Sequence, residues 1–147
     1  MEWIANLRGK TVGLDTAPLI YFIEEHSGYA SIVNPFFESA QRGELQLVTS
    51  TITLLEVLVH PLRHKNEALA QQYYDILLSS PYVAILPVTF ATAQVAAELR
   101  AEHNLKTPDA IQVATALSHR ADAFLTGDRD IHDIEGLALL KLHELLA

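Results

Sequence analysis

The 147-residue chain reads as one α/β domain, residues 1–147, in which a parallel central sheet is flanked by helices in three layers. Three observations predict this. Short apolar runs rich in Val, Ile and Leu are separated by stretches of helical periodicity along the whole chain. Inside those runs apolar and polar residues hardly alternate, as expected of strands covered on both faces. Half of the residues are hydrophobic and the mean hydropathy is +0.17, the composition of a chain with a core to bury.

The first strand is Thr11-Val12-Gly13-Leu14-Asp15. Behind it Leu19, Ile20, Phe22 and Ile23 recur at helical spacing, after Thr16 as a cap and Pro18 in the first turn, where a missing N–H costs nothing. A second helix is expected from Tyr29 to Arg42, with Pro35 as its weak point. Gly43 stops it before the strand Leu45 to Thr49, which leads to Ser50. Thr51 to His60 forms the next helix, stopped at Pro61, and Asn66 to Ser79 another, with Leu69, Tyr73, Ile76 and Leu77 on its buried stripe. Val83-Ala84-Ile85-Leu86 is the third strand. Thr89 or Thr92 opens a helix that runs to His103, and Thr107-Pro108-Asp109 opens one that runs to Arg120. Ala123-Phe124-Leu125-Thr126 is the fourth strand. The run Leu137 to Leu142 is too short for periodicity to separate strand from helix, and is read as a strand. No repeat, low-complexity tract or linker divides the chain.

Charge and composition exclude several functions. With 18 acidic and 10 basic residues the formal charge is −8, the wrong sign for gripping nucleic acid by bulk electrostatics, so such a contact needs local patches or bound cations. The absence of cysteine removes disulfides, thiolate zinc sites and cysteine nucleophiles. Neither a signal-peptide core nor a membrane-length apolar run is present, so a soluble cytoplasmic protein with no membrane association is expected.

Asp15, Glu56, Asp109 and Asp128 are far apart in the chain, yet each stands where a strand pattern ends or a helix pattern begins. In an open parallel sheet those positions line one crevice. Each acid also has an ordinary structural reading. Carboxylates at helix starts accept backbone hydrogen bonds and complement the dipole, Thr53-Leu54-Leu55-Glu56 matches a capping box, and turns favour Asp and Gly. For Glu56 the surrounding Ile52, Leu54, Leu55, Val57, Leu58 and Val59 predict a largely buried helix, where an unpaired carboxylate would cost on the order of a few kcal/mol. Carboxylates converging at ~5 Å repel by roughly 3 kcal/mol per pair at an effective dielectric of about 20. Joint placement therefore calls for a cation or raised pKa values. An all-oxygen donor set with no adjacent His or Cys favours Mg²⁺ or Mn²⁺ over Zn²⁺, in an open site that keeps water.

Four blocks carry a further signal: Leu14-Asp15-Thr16-Ala17-Pro18-Leu19-Ile20-Tyr21, Ser50-Thr51-Ile52-Thr53-Leu54-Leu55-Glu56, Thr107 to Ala116 around Asp109, and Phe124-Leu125-Thr126-Gly127-Asp128-Arg129-Asp130. In this order the chain resembles the PIN-domain nucleases, the family that includes the VapC-type toxins of toxin–antitoxin systems. The resemblance implies a PIN-like fold and a metal-dependent ribonuclease whose site is formed by Asp15, Glu56, Asp109 and Asp128. Thr126 matches the family's hydroxyl position and Asp130 its variable extra acid. It also implies hydrolysis of RNA by a metal-activated water, leaving 5′-phosphate and 3′-hydroxyl ends. Asp15, Asp109 and Asp128 would hold Mg²⁺ or Mn²⁺, with Glu56 completing the shell or orienting the water. Ile131 stands where relatives often carry Phe, which bears on packing rather than chemistry.

A toxin implies a small antitoxin protein as partner, and a homodimer is possible for such a chain; Leu19, Ile20, Phe22, Phe36 and Phe37 serve either those contacts or the core. A free-standing RNase and a catalytically silent scaffold remain as alternatives. A receiver-type phosphoacceptor domain is disfavoured by the late positions of Asp109 and Asp128. Arg63, Lys65, Lys106 and Arg129 are the rim cations available to a phosphate backbone, each with solvated surface charge as its plainer reading. His60, His64 and His103 show no helix spacing with another ligand and are read as surface or packing residues.

Overall fold

Strand β1 (Thr11–Leu14) lies at the centre of the sheet, and that placement decides where the acids meet. The computed structural model describes residues 1–146. Around β1 are β2 (Gln46–Ser50), β3 (Val83–Leu86), β4 (Ala123–Thr126) and β5 (Ala138–Lys141), in the spatial order β3-β2-β1-β4-β5, with every pairing parallel. The chain thus winds outward from β1 to one edge and then crosses back to the other side. The switch falls between β1 and β4, where their following loops must diverge and leave a crevice.

Among the described residues eight helices cover the faces: α1 (Glu2–Ala5), α2 (Thr16–Ile23), α3 (Ala30–Gln41), α4 (Thr51–Arg63), α5 (Glu67–Leu78), α6 (Phe90–His103), α7 (Thr107–Ser118) and α8 (Leu142–Leu145). On one face Val12, Leu14, Leu47 and Leu125 pack with Leu19, Phe36, Phe37, Val57, Tyr73 and Leu77. On the other, Val48 and Phe124 pack under Ala96, Leu99, Ala110, Val113, Ala114 and Ala116 of α6 and α7. Two hydrophobic layers around one sheet give the three-layer architecture that the sequence predicts.

The expected elements are present, with corrections at their ends. Helix α4 does not stop at Pro61 but continues to Arg63. A proline removes a single donor, and here Pro61 is buried while His64 N–H to His60 O and Asn66 N–H to Pro61 O close the last turn. The actual stop is Lys65, in the left-handed region at φ 53°. Pro35 likewise lies inside α3 without ending it. The final apolar run divides: β5 covers Ala138–Lys141, and Leu142 already begins α8. The single-turn α1 was not expected, since one turn carries no periodicity; burial of Ile4 and the stacking of Trp3 on Phe36, 5.8 Å between ring centres, hold it in place.

Caps explain the helix starts. Ser50 Oγ accepts from Ile52 N–H to open α4, Asn66 Oδ1 from Leu69 N–H to open α5, and Thr89 rather than Thr92 caps α6. The capping box read at Thr53 and Glu56 is therefore absent, because the helix begins three residues earlier. Nor is α4 buried all round: Leu55, Val59 and Leu62 are exposed, and only Thr53, Val57, Leu58 and Pro61 are buried. Of the apolar residues weighed as contact or core, Leu19, Phe36 and Phe37 are fully buried, and so is Ile131. Among the described residues no helix is long and apolar enough to cross a membrane.

Candidate active site

Asp15 follows β1 directly and is the N-cap of α2, so one residue serves strand end and helix start together. Its backbone N–H donates to Leu125 O of β4, which fixes it at the switch point. Its side chain accepts twice: Oδ1 from Thr16 N–H at 2.8 Å, and Oδ2 from the Thr126 hydroxyl at 2.7 Å. The Thr126 hydroxyl is itself the acceptor for Asp128 N–H at 2.9 Å, so its one proton points to Asp15. Asp128 Oδ1 then accepts from Asp130 N–H at 2.8 Å, the turn that shapes the loop after β4. Thr126 thereby ties the first acid to the last.

Asp109 stands in the first turn of α7, behind Pro108, and Glu56 stands in the second turn of α4. Glu56 Oε1 accepts from the Thr16 hydroxyl at 2.7 Å. Asp15, Thr16, Ala17, Ile20, Glu56, Asp109, Gly127 and Asp128 line one open cleft of about 340 Å³. All four acids singled out in the sequence are thus brought together. Asp130 is exposed and lines a hollow beside the cleft, with Asn104, Lys106, Asp109 and Asp128.

The electrostatics follow from burial without compensation. Burial pushes the Asp15 carboxyl up, the hydrogen bonds from Thr126 and Thr16 pull it back, and the charges of Glu56 and Asp128 push it up again. Asp109 is pushed up to about 7, first by burial, then by the charge of Asp15 and a shared hydrogen bond with Asp128; Lys106 opposes this. Among the described residues the ion pairs are Arg8 and Arg42 with Glu44, and His103 with Glu102, so none of them involves an acid of the cleft.

A hard divalent cation fits these residues. Both oxygens of Asp15 are held as acceptors, the donors are all oxygen, and the cleft lacks a positive charge. Among the described residues no three acidic or imidazole groups close on one point as a preformed cage. An open arrangement of this kind leaves positions for water and for a phosphate oxygen.

The raised Asp109 has a measurable consequence. Between its ordinary value of 3.8 and about 7 the folded state binds a proton that the unfolded state has released. Its contribution to stability therefore falls as pH rises through that window. In EDTA the wild-type melting temperature is expected to fall from pH 5.5 to pH 8 by more than that of Asp109→Asn, and saturating Mn²⁺ should shrink the difference, since the cation replaces the proton. Equal pH slopes for the two proteins in scanning calorimetry would show that Asp109 carries no such linkage.

Several residues of the site were not legible as such. Thr16, Thr49, Ser50, Thr53 and Gln112 form a polar cluster behind the acids. The sequence held one signal for it, a lone amide one turn after Asp109 in an otherwise small and apolar helix. Of the rim cations Lys106 flanks the acids, whereas Lys65 lines a separate groove with Pro61 and Leu62. The spacing read for the histidines needs correction, though not their surface placement: His60 and His64 are one helical turn apart, with ring centres 4.4 Å from each other. They are exposed at the end of α4, and neither lines the cleft.

The fold and site together define a class: parallel three-layer α/β domains with an acidic cleft at the switch point of the sheet. Within it the chain belongs to the PIN-domain family, a nuclease family that matches it over residues 12–137. No curated protein sequence matches the chain. Solved structures do. One chain of the VapBC2 structure of Rickettsia felis, bound to a DNA fragment from its promoter, aligns over 89% of this chain and 98% of its own length, at 21% identity and a TM-score of 0.68. A toxin–antitoxin complex from Klebsiella pneumoniae aligns over 87% and 95%, at 25% identity and a TM-score of 0.64. Mycobacterium tuberculosis VapC20, a toxin that cleaves the sarcin-ricin loop, aligns over 86% and 92%, at 17% identity and a TM-score of 0.62. At these identities the likeness is one of fold, and it agrees with a VapC-like architecture.

Proposed function

We propose that this chain is a metal-dependent ribonuclease, the toxin of a VapBC-type pair, that hydrolyses RNA phosphodiester bonds to leave 5′-phosphate and 3′-hydroxyl ends. The observation that carries this reading is a cleft lined by Asp15, Glu56, Asp109 and Asp128 and by no basic side chain. Asp15, Asp109 and Asp128 would hold Mg²⁺ or Mn²⁺, and Asp130 flanks the position as an accessory acid. Bound there, a divalent cation supplies Lewis acidity, lowering the pKa of water and offsetting phosphate charge.

The chain's own residues do the rest. The Thr126 hydroxyl donates to Asp15 Oδ2 and Thr16 N–H to Oδ1, which fixes the orientation of that carboxyl group, while the contact of Thr126 with Asp128 N–H sets the loop that carries the last acid. Glu56, held by Thr16, orients the attacking water, which is the nucleophile in the absence of any activated Ser or Cys in the cleft. Lys106 stands beside the acids, where an incoming backbone phosphate meets the first positive charge.

A protein partner is supported by the stripe Leu55, Val59 and Leu62, which α4 presents to solvent at helical spacing. We read that partner as a small antitoxin, with a homodimer as a further assembly and the cytoplasm as the compartment. The Rickettsia felis and Klebsiella pneumoniae structures are toxin–antitoxin complexes, which favours the toxin over a free-standing RNase. A short upstream reading frame with a DNA-binding pattern is the corresponding expectation for the gene.

The direct test incubates the protein with single-stranded and with structured RNAs, in Mn²⁺ and in EDTA. Cleavage is expected only with the cation. Cleavage that persists in EDTA would sink the metal-ribonuclease reading.

A further inference from the structure

We propose that Gln112 is a positioning residue that fixes Glu56 as a hydrogen-bond acceptor, acting through the Thr16 hydroxyl. The inference deepens the ribonuclease reading and rests on it for its kinetic consequence. It starts from a cluster in which each side-chain proton has one place to go.

Thr49 donates to Leu14 O at 2.8 Å, so its hydroxyl proton is spent. At the 2.7 Å contact between Thr49 and Thr53 the donor must then be Thr53. Ser50 Oγ accepts from Ile52 N–H and donates to Gln112 Oε1 at 2.8 Å, the contact that matches an amide whose nitrogen is turned toward Thr53 and Thr16. Gln112 Nε2 therefore faces Thr53 Oγ1 at 2.5 Å and Thr16 Oγ1 at 3.4 Å with its two hydrogens. With Gln112 donating to it, and with the Thr53 proton committed elsewhere, Thr16 has its own proton for Glu56 Oε1 at 2.7 Å. Reversing the amide would place an oxygen against two hydroxyls whose protons are already used. The polarity of the chain from Ser50 to Glu56 is thus set by covalent chemistry.

Burial makes the arrangement rigid. Gln112 is 2% exposed, and Ser50 and Thr53 are fully buried. Among the described residues none of the cluster's buried side-chain polar atoms lacks a partner. The cluster joins β2, α4, α7 and α2, the elements that also carry Glu56, Asp109 and, at the start of α2, Asp15. A completed buried network of this kind specifies one geometry, and a member removed leaves others unpaired. Glu56 is consequently aimed by the fold, as an acceptor for the proton of a water in the cleft.

The test uses Gln112→Met, which keeps the volume and removes both donors, and Thr16→Val, each made in the wild-type and in the Glu56→Ala backgrounds. The expected result is a fall in kcat of about 10- to 100-fold for either substitution, as for residues that orient catalytic groups, with KM for RNA within about twofold. In the Glu56→Ala background neither substitution lowers kcat further. A folded Gln112→Met enzyme with unchanged kcat, or the same loss with and without Glu56, overturns the proposal. Thr16→Val carries the test if Gln112→Met does not fold. A crystal structure of the variant separates the two readings: Glu56 is expected to leave Thr16, and an unmoved Glu56 overturns the positioning role whether or not the protein cleaves RNA.

Discussion

Asp109→Asn is expected to lower Mn²⁺-dependent RNA cleavage on the order of 10²- to 10³-fold, the scale on which removal of one preorganised charge-stabilising group acts. It should raise, at the same time, the melting temperature of the cation-free protein at pH 8. The two effects have one cause. Burial, the charge of Asp15 and the contact with Asp128 push the Asp109 carboxyl up to about 7, so at pH 8 the folded state carries a charge it disfavours. An asparagine is neutral, nearly the same shape, and its amide donates to Asp128 without needing a solvent proton. The ordinary reading of Asp109, a carboxylate that complements the start of α7, makes the opposite forecast: its loss would destabilise by about 0.3–1 kcal/mol. Cleavage rates in Mn²⁺ and calorimetry in EDTA on the same preparation distinguish the two. A melting temperature that falls together with activity would return Asp109 to the role of a helix-start acid.

Much of this site was legible because its residues stand at element boundaries. A strand that ends just before Asp15, a helix that opens at Thr107-Pro108-Asp109 and a strand that runs into Gly127-Asp128 all announce themselves through turn and cap chemistry. Parallel topology then places those boundaries on one edge of the sheet without further information. Glu56 was harder. Its neighbours suggested burial on all sides, whereas α4 leaves Leu55 and Val59 in solvent and turns Thr53, Val57, Leu58 and Pro61 inward. The hydroxyl and amide cluster was hidden because no local pattern marks it: Thr49 and Thr53 meet at the junction of β2 and α4, and Gln112 joins them only when α7 crosses β2. Boundaries set by the end of tertiary packing, such as the passage of α4 through Pro61 and the division of the last apolar run at Leu142, were likewise beyond a pattern read along the chain.

That crossing of α7 over the sheet depends on Gly13, and Gly13→Ala is expected to be strongly destabilising. Gly13 pairs with Val48 on one side and Phe124 on the other, in the central strand. A Cβ added there would lie 2.6 Å from Ala116 Cβ and 2.9 Å from Phe124 Cδ1. Both neighbours are buried, so relief requires α7 to lift from the sheet or the Phe124 ring to leave its place. Overpacking of this kind costs about 1–3 kcal/mol. Each kcal/mol lowers the melting temperature by roughly 2–4 °C in a chain of this size. Ala116→Gly removes the closer contact at about 1 kcal/mol of helix propensity when made alone. The double variant should therefore be more stable than the sum of the single effects, by a coupling of ~0.5–3 kcal/mol for residues in contact. Phe124 remains, so the rescue is partial. The same lift of α7 carries Asp109 and Gln112 away from Asp15 and Thr16, and misplacement on the order of 1 Å costs roughly 10²-fold in rate. Gly13→Ala should accordingly lose cleavage at temperatures where it is still folded, and Ala116→Gly should restore part of it. Additive melting temperatures with no recovery of activity would mean that the distance between α7 and the sheet does not set the geometry of the cleft.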